Sequence, residues 1–148
     1  MSLKAQINDD VKQAMRSGEK ERLKTLRMIT AAIKQREIDE RVELDDAQVL
    51  AVVEKMIKQR RESADQYREA DRPELAEAEE AEIRILEPYL PEQLSEDELV
   101  EIVDKAIAEA GASEMSAMGQ VMGLLKPRVQ GRADMGEVSR LVRSRLAG

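Results

Sequence analysis

The 148-residue sequence predicts an all-α protein, with an N-terminal four-helix domain followed by a small three-helix domain. Three observations carry this. Charged residues make up 37% of the chain while Gly and Pro are scarce, a balance that favours helix over sheet or disorder. Apolar residues recur every three or four positions, with no alternating β pattern. Pro88 and Pro91 bracket a short segment in which no regular helix can run, because each removes a backbone donor and restricts the residue before it.

The elements follow in order. Leu3, Ile7, Val11 and Met15 mark one face of a first helix, which Ser17-Gly18 stops. Leu23, Leu26, Ile29 and Ile33 carry a second helix, from Lys20 to about Ile38, and Asp39 to Leu44 reads as a loop. Asp45 and Gln48 have capping-box spacing, in which each side chain satisfies an orphan amide at the helix start. A long third helix continues through Val49, Val53, Met56, Ile57, Ala64 and Tyr67 to about Ala70. Pro73 suits the first turn of a fourth helix, whose expected stripe is Leu75, Ala78, Glu82, Ile83, Ile85 and Leu86.

Beyond the two prolines, Ser95 and Glu98 form a second capping box. Leu99, Ile102, Val103, Ala106 and Ile107 follow, and Gly111 ends that helix. Ser116 is the expected cap of the next helix, which carries Val121, Met122, Leu124 and Leu125 and ends near Gly131. Asp134 caps the last helix, with Val138, Leu141, Val142 and Leu146 on its buried face. The expected domains are residues 1–90 and 91–148.

The composition excludes several chemistries. Without Cys or His there are no disulfides, no common zinc sites, no Ser–His or Cys–His nucleophile pair and no ordinary general base near neutral pH. The serines lie in no nucleophile context, so no catalytic residue, metal ligand or cofactor is assigned. Phe and Trp are also absent, so the core must be aliphatic. The N-terminal MSLKAQINDD lacks an apolar signal core, and no run approaches a membrane span, so the expectation is a cytoplasmic protein without a membrane partner.

Charge is segregated along the chain. Residues 1–61 hold 14 basic and 11 acidic side chains, residues 62–115 hold 4 and 18, and residues 116–148 hold 6 and 2. The basic side chains of the third helix (Lys55, Lys58, Arg60, Arg61, Arg68) match the acids of the fourth (Glu77, Glu79, Glu80, Glu82, Glu87), which reads as pairing between neighbouring helices. Gly119 and Gly123 form a GxxxG, read here as close packing against a neighbouring helix, and the methionines around it (Met115, Met118, Met122, Met135) as core filling.

The C-terminal cations need a further reading. Arg143 and Arg145 offset the dipole of the last helix. Lys126, Arg128 and Arg132 sit around Pro127 and Gly131, where a helix bends or ends and backbone amides become free to hold a phosphate, with Arg140 on the helix that follows. No aromatic side chain is present there to stack bases, so the fitting mode is recognition of the backbone or shape of a folded RNA.

Three stretches carry a family resemblance: LRMITAAIKQREID (Leu26 to Asp39), QRRESADQYREADRPELAEAEEAEIRILEPYLPEQLSEDEL (Gln59 to Leu99) and MGQVMGLLKPRVQGRADMGEVSRLV (Met118 to Val142). Together they resemble the YqeY-like family (GatB/YqeY), whose C-terminal part is similar to the tail domain of the B subunit of aspartyl/glutamyl-tRNA amidotransferase. The resemblance implies two helical domains. It also implies tRNA contact by the tail-like part, at Gly119, Gly123, Gly131 and Gly136 with Lys126, Arg128 and Arg132. Amidotransferase subunits are a second implied partner, with carbon–nitrogen ligase activity, glutamine as amido donor, exercised only within a larger complex. A protein–protein adaptor is the alternative function. No segment resembles the amidase subunit or the catalytic cradle of the B subunit.

Overall fold

The computed structural model describes residues 2–147. All of its regular structure is helical: α1 (Leu3–Ser17), α2 (Lys20–Glu40), α3 (Asp46–Glu69), α4 (Pro73–Leu86), α5 (Glu96–Ala110), α6 (Met118–Val129) and α7 (Met135–Ala147), with single 3-10 turns at Glu87–Tyr89 and Met115–Ala117. The chain divides into two compact units, Met1–Leu90 and Pro91–Gly148.

In the first unit the helix boundaries come from local chemistry. The Ser2 hydroxyl accepts from the Ala5 amide at the start of α1, and Gly18 closes it with φ at 70°. The Asp45–Gln48 capping box forms as the spacing predicts, and Pro73 stands in the first turn of α4. Helix α2 runs to Glu40 rather than stopping near Ile38, and ends at Arg41 in the left-handed region, φ 55°. A carboxylate holds that ending in place. Glu37 Oε2 accepts from Lys4 Nζ at 2.7 Å and from the Leu44 amide at 2.9 Å, tying α1, α2 and the following loop to one group. Those two donors hold the Glu37 carboxyl below its ordinary range.

The core of this unit is aliphatic, built on Ile7, Leu26, Ile29, Val49, Val53 and Leu86, with Tyr89 at its margin. Side chains of this kind each contribute about 1.5–3 kcal/mol when fully buried. Two stripes differ in phase from the sequence expectation. Ala14 is buried and Met15 is half exposed, because a four-residue step overshoots a full turn by about 40° and the drift accumulates along α1. On α4 Ala76 is buried while Leu75 and Ala78 face solvent. Tyr89 donates to Asp10 Oδ2 at 2.5 Å; burial and that bond push its pKa up.

Helices α3 and α4 form the most extensive pair, and three of the expected cations pair with acids of α4 and the turn after it. Arg60 donates to Glu82 at 2.7 Å, Arg61 to Glu87 at 3.4 Å, and Arg68 pairs with Glu80. Arg60 is 9% exposed. Its guanidinium also donates to the Met56 carbonyl at 3.1 Å and approaches Met28 Sδ at 3.6 Å. Glu54 is different: burial pushes its pKa up, and its Oε1 has no partner among the described residues.

The second unit packs α5, α6 and α7 around Val103, Val121, Leu125, Val129, Val138 and Val142. The Ser95–Glu98 capping box and the left-handed Gly111 bound α5. Ser116 does not cap α6. It lies inside the 3-10 turn, which feeds directly into the helix through Ala117 without a side-chain cap. Met118, Met122 and Met135 pack against the core, whereas Met115 is exposed. Close packing at Gly119 and Gly123 does not occur: both glycines face solvent, and a Cβ at either would meet nothing within 4 Å.

Gly131 is buried with φ at 76°. Gly131→Ala therefore places a side chain in the left-handed region and should cost about 1–2 kcal/mol in urea unfolding, while Gly123→Ala should stabilise by about 0.5–1 kcal/mol. For the α3–α4 pairs, Glu82→Ala leaves a buried guanidinium without its carboxylate and should cost about 3 kcal/mol, whereas Glu87→Ala removes an exposed pair and should cost below about 1 kcal/mol. The third test uses pH. Because its folded pKa is depressed, Glu37 contributes stability above the unfolded value near 4.5 that is lost as pH falls through the folded value. Denaturation midpoints measured from pH 6 down to pH 3 should fall less steeply for Glu37→Gln than for the parent.

Candidate nucleic-acid interface

The tail end of the second unit is organised around the turn between α6 and α7. Gly131 permits that turn, and the segment preceding α5 clamps it. The Leu94 amide donates to the Arg132 carbonyl at 2.8 Å, and the Gln93 side-chain amide donates to the Gly131 carbonyl at 2.6 Å. The turn's own amides are largely engaged: those of Arg132 and Ala133 both donate to the Val129 carbonyl, and that of Gln130 to the Lys126 carbonyl. The start of α7 is occupied as well, because the Asp134 carboxylate accepts from the Gly136 amide at 3.3 Å. Of the amides that the sequence suggested for holding a phosphate, those of Gln130, Arg132, Ala133 and Gly136 are taken up by internal bonds. The side chains remain as the means of contacting an anion.

Those side chains differ in setting. Lys126 and Arg128 both lie on α6 around Pro127, which sits inside the helix. Residues two apart point to different sides of a helix, so the two do not share a face. Lys126 is exposed and makes no ion pair among the described residues. The Arg128 guanidinium donates to Glu109 Oε2 at 2.6 Å, with both side chains about 40% exposed. Arg132 reaches two carbonyls, Nε to Glu92 at 3.2 Å and a terminal nitrogen to Arg128 at 3.4 Å. A guanidinium carries five N–H donors, so three remain for an acceptor from solvent. Arg140 on α7 is exposed and unpaired among the described residues, and Arg145 pairs with Asp104 at 3.3 Å.

The Glu98 carboxyl is held below its ordinary range, first by the Ser95 amide and hydroxyl of the capping box, and to a lesser degree by the charge of Arg132. Sequence reading did not find Glu109, Glu92 or Gln93, which set the positions of Arg128, Arg132 and Gly131. They lie 19, 40 and 38 residues from their partners, and no local pattern links such pairs. Of the acidic run of α4, Glu80 and Glu82 pair with α3, as does Glu87 just past the helix end.

Comparison with known proteins adds the family. The model for Yqey-like protein matches residues 4–146. The chain is 33% identical over 129 residues to altered inheritance of mitochondria protein 41, mitochondrial, of Pyrenophora tritici-repentis, covering 86% of this chain and 71% of that protein. It is 34% identical over 94 residues to an uncharacterized protein of Schizosaccharomyces pombe, covering 64% and 76%. A protein of Vanderwaltozyma polyspora, also named altered inheritance of mitochondria protein 41, is 32% identical over 85 residues, covering 57% of this chain and 46% of its own length. These names overturn the expectation of a cytoplasmic protein. Polar composition without a membrane-spanning stretch suits any aqueous compartment, so it never distinguished cytoplasm from mitochondrion. Matched over nearly its whole length by one family model, the chain belongs to the Yqey-like protein family.

Proposed function

We propose that this protein binds tRNA, or an assembly that handles tRNA, through residues 91–148, and that it has no catalytic site of its own. In this reading residues 1–90 form a separate four-helix domain. Lys126, Arg128, Arg132 and Arg140 neutralise backbone phosphates, and Gly131 shapes the turn from which Arg132 projects.

The observation that carries the reading is the contrast between Arg132 and its neighbours. Its guanidinium is held by two main-chain carbonyls and keeps donors in reserve. Lys126 on α6 and Arg140 on α7 stand exposed without ion pairs among the described residues. Arg128 can join them, because an exposed pair such as Arg128–Glu109 is worth about 1 kcal/mol or less and exchanges readily for a phosphate. Solvent-facing Gly119 and Gly123 leave the α6 backbone open to close approach on the side that Lys126 extends. With no aromatic residue in this unit beyond position 90, affinity rests on phosphate contacts rather than base stacking. Association with amidotransferase subunits belongs to the same reading, as the means by which a chain without catalytic residues would take part in amide transfer.

Binding of total tRNA, titrated at several salt concentrations, tests this. Four phosphate contacts predict a log–log salt slope of about -3 to -4, and Lys126→Glu with Arg140→Glu should bring it about 1.5 to 2 closer to zero. Absence of binding at low salt, or a slope indifferent to both substitutions, refutes the reading.

A further inference from the structure

The first unit carries a second cationic feature, on α2. Lys20, Lys24, Arg27, Ala31, Lys34 and Ile38 recur at alternating steps of four and three residues, which keeps them within about 40° of a common line along the helix. All six are exposed, and they lie opposite the buried Leu26, Ile29 and Ile33. From Lys20 to Ile38 the row extends about 27 Å.

Its charge is not neutralised by the rest of the helix. Four of the five acids of α2 and its cap are engaged with partners off the row. Glu19 pairs with Arg22, Glu37 with Lys4, Glu40 with Arg36, and Asp39 accepts from Gln35. Glu21 is the fifth, and it falls outside the row. None of Lys20, Lys24, Arg27 or Lys34 forms an ion pair among the described residues, whereas Lys4, Arg22, Arg36, Arg60, Arg61 and Arg68 of the same unit all do. Lys12, Arg16, Arg41, Lys55, Lys58, Arg72 and Arg84 are also without an ion pair among the described residues; what sets α2 apart is that four such cations stand on one straight line.

We propose that this row is a second RNA-backbone contact surface, in which Lys20, Lys24, Arg27 and Lys34 neutralise phosphates along a strand that follows α2. The chemistry of the row selects this partner. A folded protein would be held by aromatic and aliphatic anchors, and the row offers only Ala31 and one isoleucine. A bilayer surface would need a broad apolar face with Trp, Phe or Leu beside the cations, which the row also lacks. Long, flexible cations spaced along a rod without aromatics suit a continuous line of phosphates, read without regard to base sequence. The proposal shares its ligand with the reading above but not its residues.

The test uses the full chain and two probes, total tRNA and a generic RNA duplex. Three versions are compared: the parent, Lys24→Gln/Arg27→Gln/Lys34→Gln, and Lys126→Glu/Arg140→Glu. Every substituted residue is exposed and without an ion pair among the described residues, and circular dichroism and thermal unfolding confirm that each version folds. The α2 triple variant should bind both probes about tenfold or more weakly at 0.1 M salt, with a salt slope closer to zero by about 2 to 3. If it binds as the parent does while the α6–α7 variant loses affinity, the α2 surface is refuted and the reading above stands. If the α2 variant loses binding and the other does not, that reading fails and this one stands. No binding by the parent at low salt refutes both, and a loss confined to capture of an acidic protein or anionic vesicles refutes the RNA assignment.

Discussion

Arg60 sets the terms on which the first unit can close. Taking a guanidinium out of water costs several kcal/mol unless its charge and donors are met in place. Here Glu82 on α4 supplies the charge, the Met56 carbonyl on α3 takes a second donor, and Met28 of α2 lies against a third nitrogen. Three helices must therefore arrive in register before the arginine can be buried. The flanking pairs agree with that register: Arg61 meets Glu87 and Arg68 meets Glu80, numbers rising on one helix as they fall on the other, as antiparallel neighbours require. The aliphatic core contributes most of the burial, but aliphatic surfaces tolerate sliding. The arginine does not.

The second unit solves a smaller version of the same problem without a buried ion pair among the described residues. Its core is largely valine and leucine, and its geometry is fixed by main-chain bonds around the α6–α7 turn. Segment 92–94 contributes a carbonyl, a side-chain amide and a backbone amide to that turn, so the chain entering the unit also locks its far end. The cations best placed to meet an external anion are those which this framework holds or leaves alone, Arg132 in the first case and Lys126 and Arg140 in the second.

Much of this was legible in the sequence, for reasons that can be named. Both capping boxes, the left-handed glycines at 18 and 111 and the proline at the start of α4 act within a few residues, so their effects survive any tertiary setting. The α3–α4 charge match was visible because α4 is mostly acidic and α3 carries five basic side chains. What failed depended on three dimensions. A four-residue step assigned Met15 instead of Ala14 to the core, and the GxxxG spacing did not reveal whether another helix would lie against it. The candidate contact residues Lys126, Arg128, Gly131, Arg132 and Arg140 were named from charge and turn chemistry together with the family resemblance. Which of the arginines were already bonded could not be read, because Glu109 and Glu92 meet them only after folding.

Helix α6 has an unusual composition for a twelve-residue helix: two solvent-facing glycines and an internal proline. Each glycine costs about 1 kcal/mol of helix propensity, and the proline removes a main-chain donor from the ladder. The helix is held by the burial of Val121, Leu125 and Val129 on its other side. Its amides accordingly have little to lose by parting from the bundle briefly, and in hydrogen exchange α6 should be the segment of the second unit that opens at the lowest free energy. A surface that opens cheaply can also adjust cheaply, so the helix bearing Lys126 is the one best able to reshape itself against an irregular partner.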